Sequence, residues 1–342
     1  MGKPTPFREA AVPAFAKLNL SLHVLGRRPD GYHELRTVFQ TVALADSLHL
    51  RYTPSGPLRI TLDDPLHIPH NLAMRAAELV AEELHLRGSF EMRLTKRIPL
   101  GGGLGGGSTD AAAVLLALPA LAGKALPAST LARLALQLGS DVPFFLHGGT
   151  ALGLGRGEEL YPLATPPAPH VLLLTPGLHV STPEAFRALA RPFLAELTFT
   201  ELIPTLETFR SLVAALSTRQ AGPGWRGFCE NEFEGAVFGQ HPRLAALWRK
   251  LRRGGAEPAR MSGSGSTLYG VFPNAALLLA ARSLLAGTAS IRTRFLNQAQ
   301  YRASWYRALA GIADTTQWPP QSLSASNASS PRKNRMSSSK IR

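Results

Sequence analysis

Apolar and polar residues alternate along AFAKLNLSLHVLG, residues 14–26, with Ala16, Leu18, Leu20, Leu22 and Val24 on one face and Lys17, Asn19, Ser21 and His23 on the other. A period of two marks a half-buried strand, so the polar row is either solvated or turned toward a ligand. RRPDGYHE, residues 27–34, carries the turn signal Asp30-Gly31 and is expected as a loop. In NLAMRAAELVAEELHLRG the spacing of Leu72, Ala76, Leu79, Val80 and Leu84 becomes helical, with Asn71 as cap and Gly88 as terminator. Alternation returns in SFEMRLTKRIP at Phe90, Met92, Leu94 and Ile98. Lys96 falls in the same phase, so its ammonium either snorkels to the strand edge or meets an anionic ligand.

Directly after that strand comes PLGGGLGGGSTDAA, residues 99–112, which runs into the helix-forming AAAVLLAL. Ser129 is expected to cap a further helix through Leu138, closed by Gly139, and Ser140-Asp141-Val142-Pro143 forms a turn that puts Asp141 on a loop. In the second half, HVLLLTPG reads as a strand, STPEAFRALA as a helix opened by Thr182-Pro183, and HPRLAALWRKLRR as a basic helix. A second glycine turn, MSGSGSTLYGVF, leads into a short strand ending at Phe272. NAALLLAARSLLAG is helical and IRTRFLN extended. Strands and helices mix in both halves, which predicts an α+β protein. From about Thr315 the chain turns to Ser, Pro, Asn and Gln and is expected to be a disordered tail.

The 342 residues are 45% apolar and 18% charged, enough to bury a core and long enough for two domains around one cleft. No apolar run reaches the roughly 18 residues of a membrane span, and MGKPTPFREA lacks a secretory apolar segment. Cys229 is the single cysteine, which excludes an internal disulfide framework and fits a reducing cytoplasm. The net charge of +14 raises the possibility of a nucleic-acid footprint. However, Arg332, Lys333, Arg335, Lys340 and Arg342 place part of it in the tail, and no nucleic-acid-binding motif accompanies it.

The placement of the glycine loop between a strand and a helix is what gives it chemical meaning. Unpaired N–H groups converge at a helix start, the helix dipole favours an anion there, and glycine permits close approach. Ser108 and Thr109 add hydroxyls for phosphate or Mg²⁺. A GxGxxG match from Gly101 is nearly automatic in such a segment, and no acid follows between Ala111 and Ser140, as a dinucleotide fold requires. Walker and protein-kinase signatures are also missing.

Together, AKLNLSL, PLGGGLGGGSTDAA and MSGSGSTLYGVF resemble the three motifs of the GHMP small-molecule kinases, the superfamily of galactokinase, homoserine kinase and mevalonate kinase. AKLNLSLHVLGRRPDGYHEL, GSDVPFFLHGGTALGLGRGEEL and the late GSGST are similar to one branch, whose members phosphorylate the 2-hydroxyl of a cytidine-diphosphate-linked methylerythritol on the non-mevalonate route to isoprenoid precursors. The similarity runs through residues 12–300. It implies a ribosomal-protein-S5-like ATP lobe over residues 1–165, a ferredoxin-like lobe over 166–312, an active site between them, and a basic tail over 313–342. By the same resemblance Asp141 is the base facing the acceptor hydroxyl, and Lys17 lies beside it to stabilise transferring charge. ATP would be held by Pro99, Leu100, Gly101, Gly102, Gly103, Leu104, Gly105, Gly106, Gly107, Ser108 and Thr109, with Lys96 and Asn71 near the adenine and ribose. Tyr32 would stack on the cytosine, His33 read its polar edge and Phe186 close its other face, with Thr182 nearby. Asn19 would bind the methylerythritol hydroxyls, and Ser264 and Gly265 support the substrate side. Mg²⁺ would accompany ATP without a dedicated protein cage. The partner is then a small molecule rather than nucleic acid or membrane, and the chain a monomer or weak homodimer. Another GHMP kinase, of the homoserine or mevalonate type, shares the loop but has no need of an aromatic clamp in DGYH.

Overall fold

The computed structural model describes residues 7–217, 223–314 and 317–322; the expected tail beyond 322 lies outside the described residues. The first sheet contains β1 (Arg8–Arg27), β2 (His33–Thr53), β3 (Arg59–Asp63), β4 (Ser89–Thr95), β5 (Thr150–Leu154) and β6 (Glu159–Leu163). Its order is β3-β4-β2-β5-β6, with β1 paired antiparallel to β2. Against it pack α1 (Leu72–Glu83), α2 (Gly106–Leu121), α3 (Ala128–Leu138) and the single turn α4 (Val142–Phe145). From Thr109 to Leu121 every residue of α2 is buried, as expected of a helix apolar on all sides. It is the central rod of this lobe.

The second sheet is antiparallel, ordered β10 (Ser290–Thr293), β7 (Val171–Leu174), β9 (Leu268–Val271), β8 (Ala259–Met261). Around it lie α5 (Thr182–Leu189), α6 (Phe199–Ser217), α7 (Phe233–Gln240), α8 (Pro242–Arg253) and α9 (Ala275–Leu284). The arginine-rich run ends α8, where Lys250, Arg252 and Arg253 complement the negative end of the helix dipole. After the second sheet, α10 (Gln298–Ala308) crosses back and buries Tyr301 and Trp305, with its C-cap Leu309, in the core of the first lobe. Beyond it, β11 (Ala313–Asp314) pairs with β12 (Gln321–Ser322), and Trp318 packs on that same core. A boundary at 312 therefore cuts through packed structure, and residues 317–322 are not the disordered segment expected from their composition.

Three local expectations change. The first helix ends at Glu83, and Gly88 instead makes the turn into β4, where its φ is +95° and a Cβ would meet Thr53 O at 2.0 Å. The third helix starts at Ala128 behind Pro127, so Ser129 lies within it rather than capping it. The even alternation of β1 is broken by register shifts between Phe15 and Lys17, Asn19 and Ser21, and Val24 and Gly26. A bulge moves the following side chains to the opposite face. Thus Lys17, Asn19 and then Leu22 line one cavity, while His23 turns away to meet Phe209 of α6 edge-on at 5.9 Å. The polar row is divided between two sides of the strand.

Candidate active site

The glycine loop runs from β4 into α2, and its sequence is dictated by crowding. Gly101, Gly103 and Gly105 have φ of +64°, +74° and +72°, a region that side chains disfavour. A Cβ on Gly103 would lie 2.1 Å from Ser262 O, and one on Gly105 would lie 2.7 Å from the Phe145 ring. Gly105 caps α2 without a side-chain hydrogen bond, so the first-turn N–H groups of Gly106, Gly107 and Ser108 form an anion-attracting helix start. Leu104 is buried, and its carbonyl accepts from the backbone N–H of Lys17 at 3.0 Å, tying the loop to β1. Thr109 is also buried, whereas Leu100 is exposed and Pro99 and Ser108 partly so.

The late glycine turn docks on this loop. Ser262 Oγ donates to Gly103 O at 2.9 Å, and the Thr267 backbone N–H donates to Gly102 O at 3.3 Å. Asn231, which the sequence did not single out, holds the turn by donating to Met261 O at 2.7 Å and Gly263 O at 2.8 Å. Ser264 shares a 2.7 Å hydrogen bond with Thr182 at the start of α5, while Gly265 packs against Met261.

Lys17 lies where the two loops and β1 meet. Its Nζ is 3.3 Å from Asp141 Oδ2 and donates to Asn19 Oδ1 at 2.7 Å; Asn19 in turn donates to Thr37 Oγ1 at 2.8 Å. The Lys17 side chain is 5% exposed and that of Asp141 34%, so the carboxylate is the open member of the pair. A cavity of ≈ 920 Å³ extends from Gly103, Gly105, Lys17 and Asp141 to Tyr32, His33, Thr182 and Phe186. Within it His33 stacks on Phe186, with ring centroids 4.5 Å apart, and Phe186 meets Phe233 edge-on at 4.8 Å. Tyr32 is exposed and carries the Arg156 guanidinium over its ring at 4.5 Å; Glu158 braces that arginine at 3.2 Å. Tyr32 and Phe186 thus each face another side chain. Burial and the nearby Arg27 lower the pKa of His33, leaving the imidazole neutral at pH 7.

Lys96 and Asn71 lie outside this cavity. Asn71 caps α1 through Ala73 N and donates to Asp64 Oδ2 at 3.0 Å. Lys96 points into the protein and ion-pairs with Asp46 and, at 2.7 Å, with Asp110 of α2; a Cβ on Gly106 would come within 3.2 Å of its Nζ. Burial opposes the charge on Lys96, yet the two carboxylates raise its pKa. Burial, assisted by Asp46 and opposed by Lys96, pushes the Asp110 carboxyl up to about 7. Folded Asp110 therefore binds a proton between pH 3.8 and about 7 that the unfolded chain has released, and its contribution to stability falls as pH rises through that window. The melting-temperature advantage of the native protein over Asp110→Asn should shrink between pH 4.5 and 7.5; an advantage that grows instead rules this out.

The family models for GHMP kinases N terminal domain and GHMP kinases C terminal match residues 71–149 and 202–286. A 4-diphosphocytidyl-2-C-methyl-D-erythritol kinase of Solibacter usitatus (strain Ellin6076) is 49% identical over 315 residues, 92% of this chain and 98% of its own. The crystal structure of a 4-(cytidine 5′-diphospho)-2C-methyl-D-erythritol kinase superposes with a TM-score of 0.68 at 38% identity, covering 83% of this chain and 98% of that one. A homoserine kinase from Cytophaga hutchinsonii shares the fold at a TM-score of 0.66 but only 20% identity, over 87% of this chain and 97% of its own. Glycine loops, paired sheets and cleft are thus those of a small-molecule kinase. The chain belongs to the GHMP kinases and, within them, to the 4-diphosphocytidyl-2-C-methyl-D-erythritol kinase family.

Proposed function

We propose that this enzyme transfers the γ-phosphoryl group of ATP to the 2-hydroxyl of 4-(cytidine 5′-diphospho)-2-C-methyl-D-erythritol, within the non-mevalonate route to isoprenoid precursors. The observation that carries this reading is the Lys17–Asp141 pair, set between a phosphate-type glycine loop and a cavity whose far end is aromatic. In this reading Asp141 Oδ accepts the proton of the acceptor hydroxyl as its oxygen attacks the γ-phosphorus, and the bond to ADP breaks. Lys17, held by Asn19 and Asp141, stabilises charge spread over the equatorial oxygens. Asn19 orients the methylerythritol hydroxyls.

The start of α2 and the loop backbone from Gly101 to Gly107 receive the phosphates, with Pro99 and Leu100 flanking the nucleotide. Ser108, partly exposed where Thr109 is buried, is the loop hydroxyl open to a Mg²⁺ ion carried by the triphosphate. Such an ion would neutralise the β- and γ-phosphates. Lys96 acts from beneath the loop through its ion pairs, and Asn71 by starting α1 beside Gly107. A cytoplasmic location is the one in which ATP, the donor in this reading, is supplied; among the described residues no helix is long and apolar enough to cross a membrane.

At the other end Tyr32 stacks on cytosine once Arg156 yields its face, and Phe186 closes the opposite side as His33 releases it. Neutral His33 offers one acceptor and one donor nitrogen to the base edge. Tyr32→Ala should raise KM for the cytidine substrate about tenfold or more, the scale of one lost base stack, with KM for ATP unchanged. The whole assignment is tested by ADP release with the cytidyl substrate beside homoserine, mevalonate and galactose. Turnover of only one of the last three defeats it.

A further inference from the structure

Asp141 is the N-cap of α4, a helix of one turn whose four residues are all buried. The N–H groups of Leu146, His147 and Gly148 close back onto the carbonyls of Pro143 and Phe144. The next two carbonyls, of Phe145 and Leu146, lie past the helix and need donors from elsewhere. Both donors come from more than 150 positions away in sequence. The Tyr301 hydroxyl on α10 donates to Phe145 O, and the Trp318 indole N–H donates to Leu146 O at 2.8 Å. Tyr301 also presses on Gly148, where a Cβ would come within 2.4 Å of its ring. Trp318 is itself seated edge-on against Tyr301, Trp305 and Tyr306 at 6.0, 6.4 and 5.9 Å, with the Arg302 guanidinium 5.3 Å from its ring.

A single helical turn has too few internal hydrogen bonds to fix its own direction. What anchors its far end therefore helps set where its near end points. We propose that Tyr301 and Trp318 are positioning residues for phosphoryl transfer, a strap that grips the last carbonyls of α4 and so sets Asp141 against Lys17. The proposal rests on the reading of Asp141 given above. It also gives a task to Trp318, a residue whose surrounding composition suggested only a tail. Each contact is one hydrogen bond, which a fold of this size survives losing, yet a displacement of about 1 Å at a reacting group can slow catalysis up to about 10²-fold.

The test uses the full chain in an ADP-release assay. Trp318→Phe and Tyr301→Phe keep a ring and remove the donor. Each should lower kcat about tenfold while both KM values stay within about twofold. In an Asp141→Asn background the same substitutions should produce no further fall, because their effect acts through that carboxylate. Unchanged kcat in both single variants overturns the proposal. So does an equal fall in the Asp141→Asn background, which marks general loosening of the lobe. Near-native turnover of Asp141→Asn alone would instead defeat the role assigned to Asp141, and the two failures are therefore distinguishable.

Discussion

With Asp141→Asn, kcat is expected to fall about 10²-fold or more while KM for ATP stays within about twofold, the effect of removing a positioned proton acceptor. Asparagine retains an oxygen that can accept from Lys17 Nζ, now 3.3 Å from Asp141 Oδ2, so the geometry of the pair should survive. What is lost is the ability to take the hydroxyl proton. Because the aspartate is the more exposed member and, among the described residues, no other carboxylate lines the cavity, no described neighbour is placed to substitute. Turnover by ADP release and ATP affinity by calorimetry separate the two quantities. A variant that keeps more than about a third of native kcat would take Asp141 out of the mechanism.

Gly103→Ala should be nearly as severe, through a different cause. Alanine at φ +74° is strained, and its methyl would sit 2.1 Å from Ser262 O and 3.1 Å from Gly265 O. Both are backbone atoms of the late turn, so either the phosphate loop or that turn must shift, and Gly263 would carry the disturbance to Lys17, 3.6 Å from its Cβ position. We expect kcat/KM for ATP to fall more than about 10²-fold, with about 1–3 kcal/mol of stability lost. Gly56→Ala is the comparison: its φ is +81°, but nothing lies within 4 Å of the added carbon. It should show the backbone cost alone and keep native kinetics. Equal activity in the two variants would mean that the loop contact is not needed for nucleotide use.

The chemistry-bearing segments were legible because each is local. A glycine run between strand and helix, a DGYH turn and a Ser-Asp-Val-Pro turn announce themselves within a few residues. Less of the surrounding support was legible, since it is made at long range. Asp46 meets Lys96 across 50 positions, Asn231 holds Gly263 across 32, and Trp318 reaches Leu146 across 172. None of these residues sits in a pattern, and a lone Asp, Asn or Trp has many ordinary uses. The polar row on β1 shows the opposite limit. Its alternation was real, but a bulge carries no dependable sequence mark, and it moved His23 to a face where burial and Arg191 lower its pKa to about 4. By its sequence Lys96 could either snorkel to the strand edge or meet an anionic ligand; in the fold it does neither within the cavity but sits between the carboxylates of Asp46 and Asp110.

The return of α10 to the first lobe has a consequence for how the protein is made. Tyr301, Trp305, Leu309 and Ala313 complete a core whose other buried members all come from residues before 152. During synthesis at about 5–20 residues per second, those members must wait roughly 10–30 s for their last helix to emerge. Through that interval the surface of α2, α4 and the neighbouring Gly148 turn stands uncovered at the place Tyr301 will fill. The nascent lobe thus has a defined sticky patch, and a chaperone that shields it should be needed more by ribosome-bound chains stalled near residue 290 than by those released past 322.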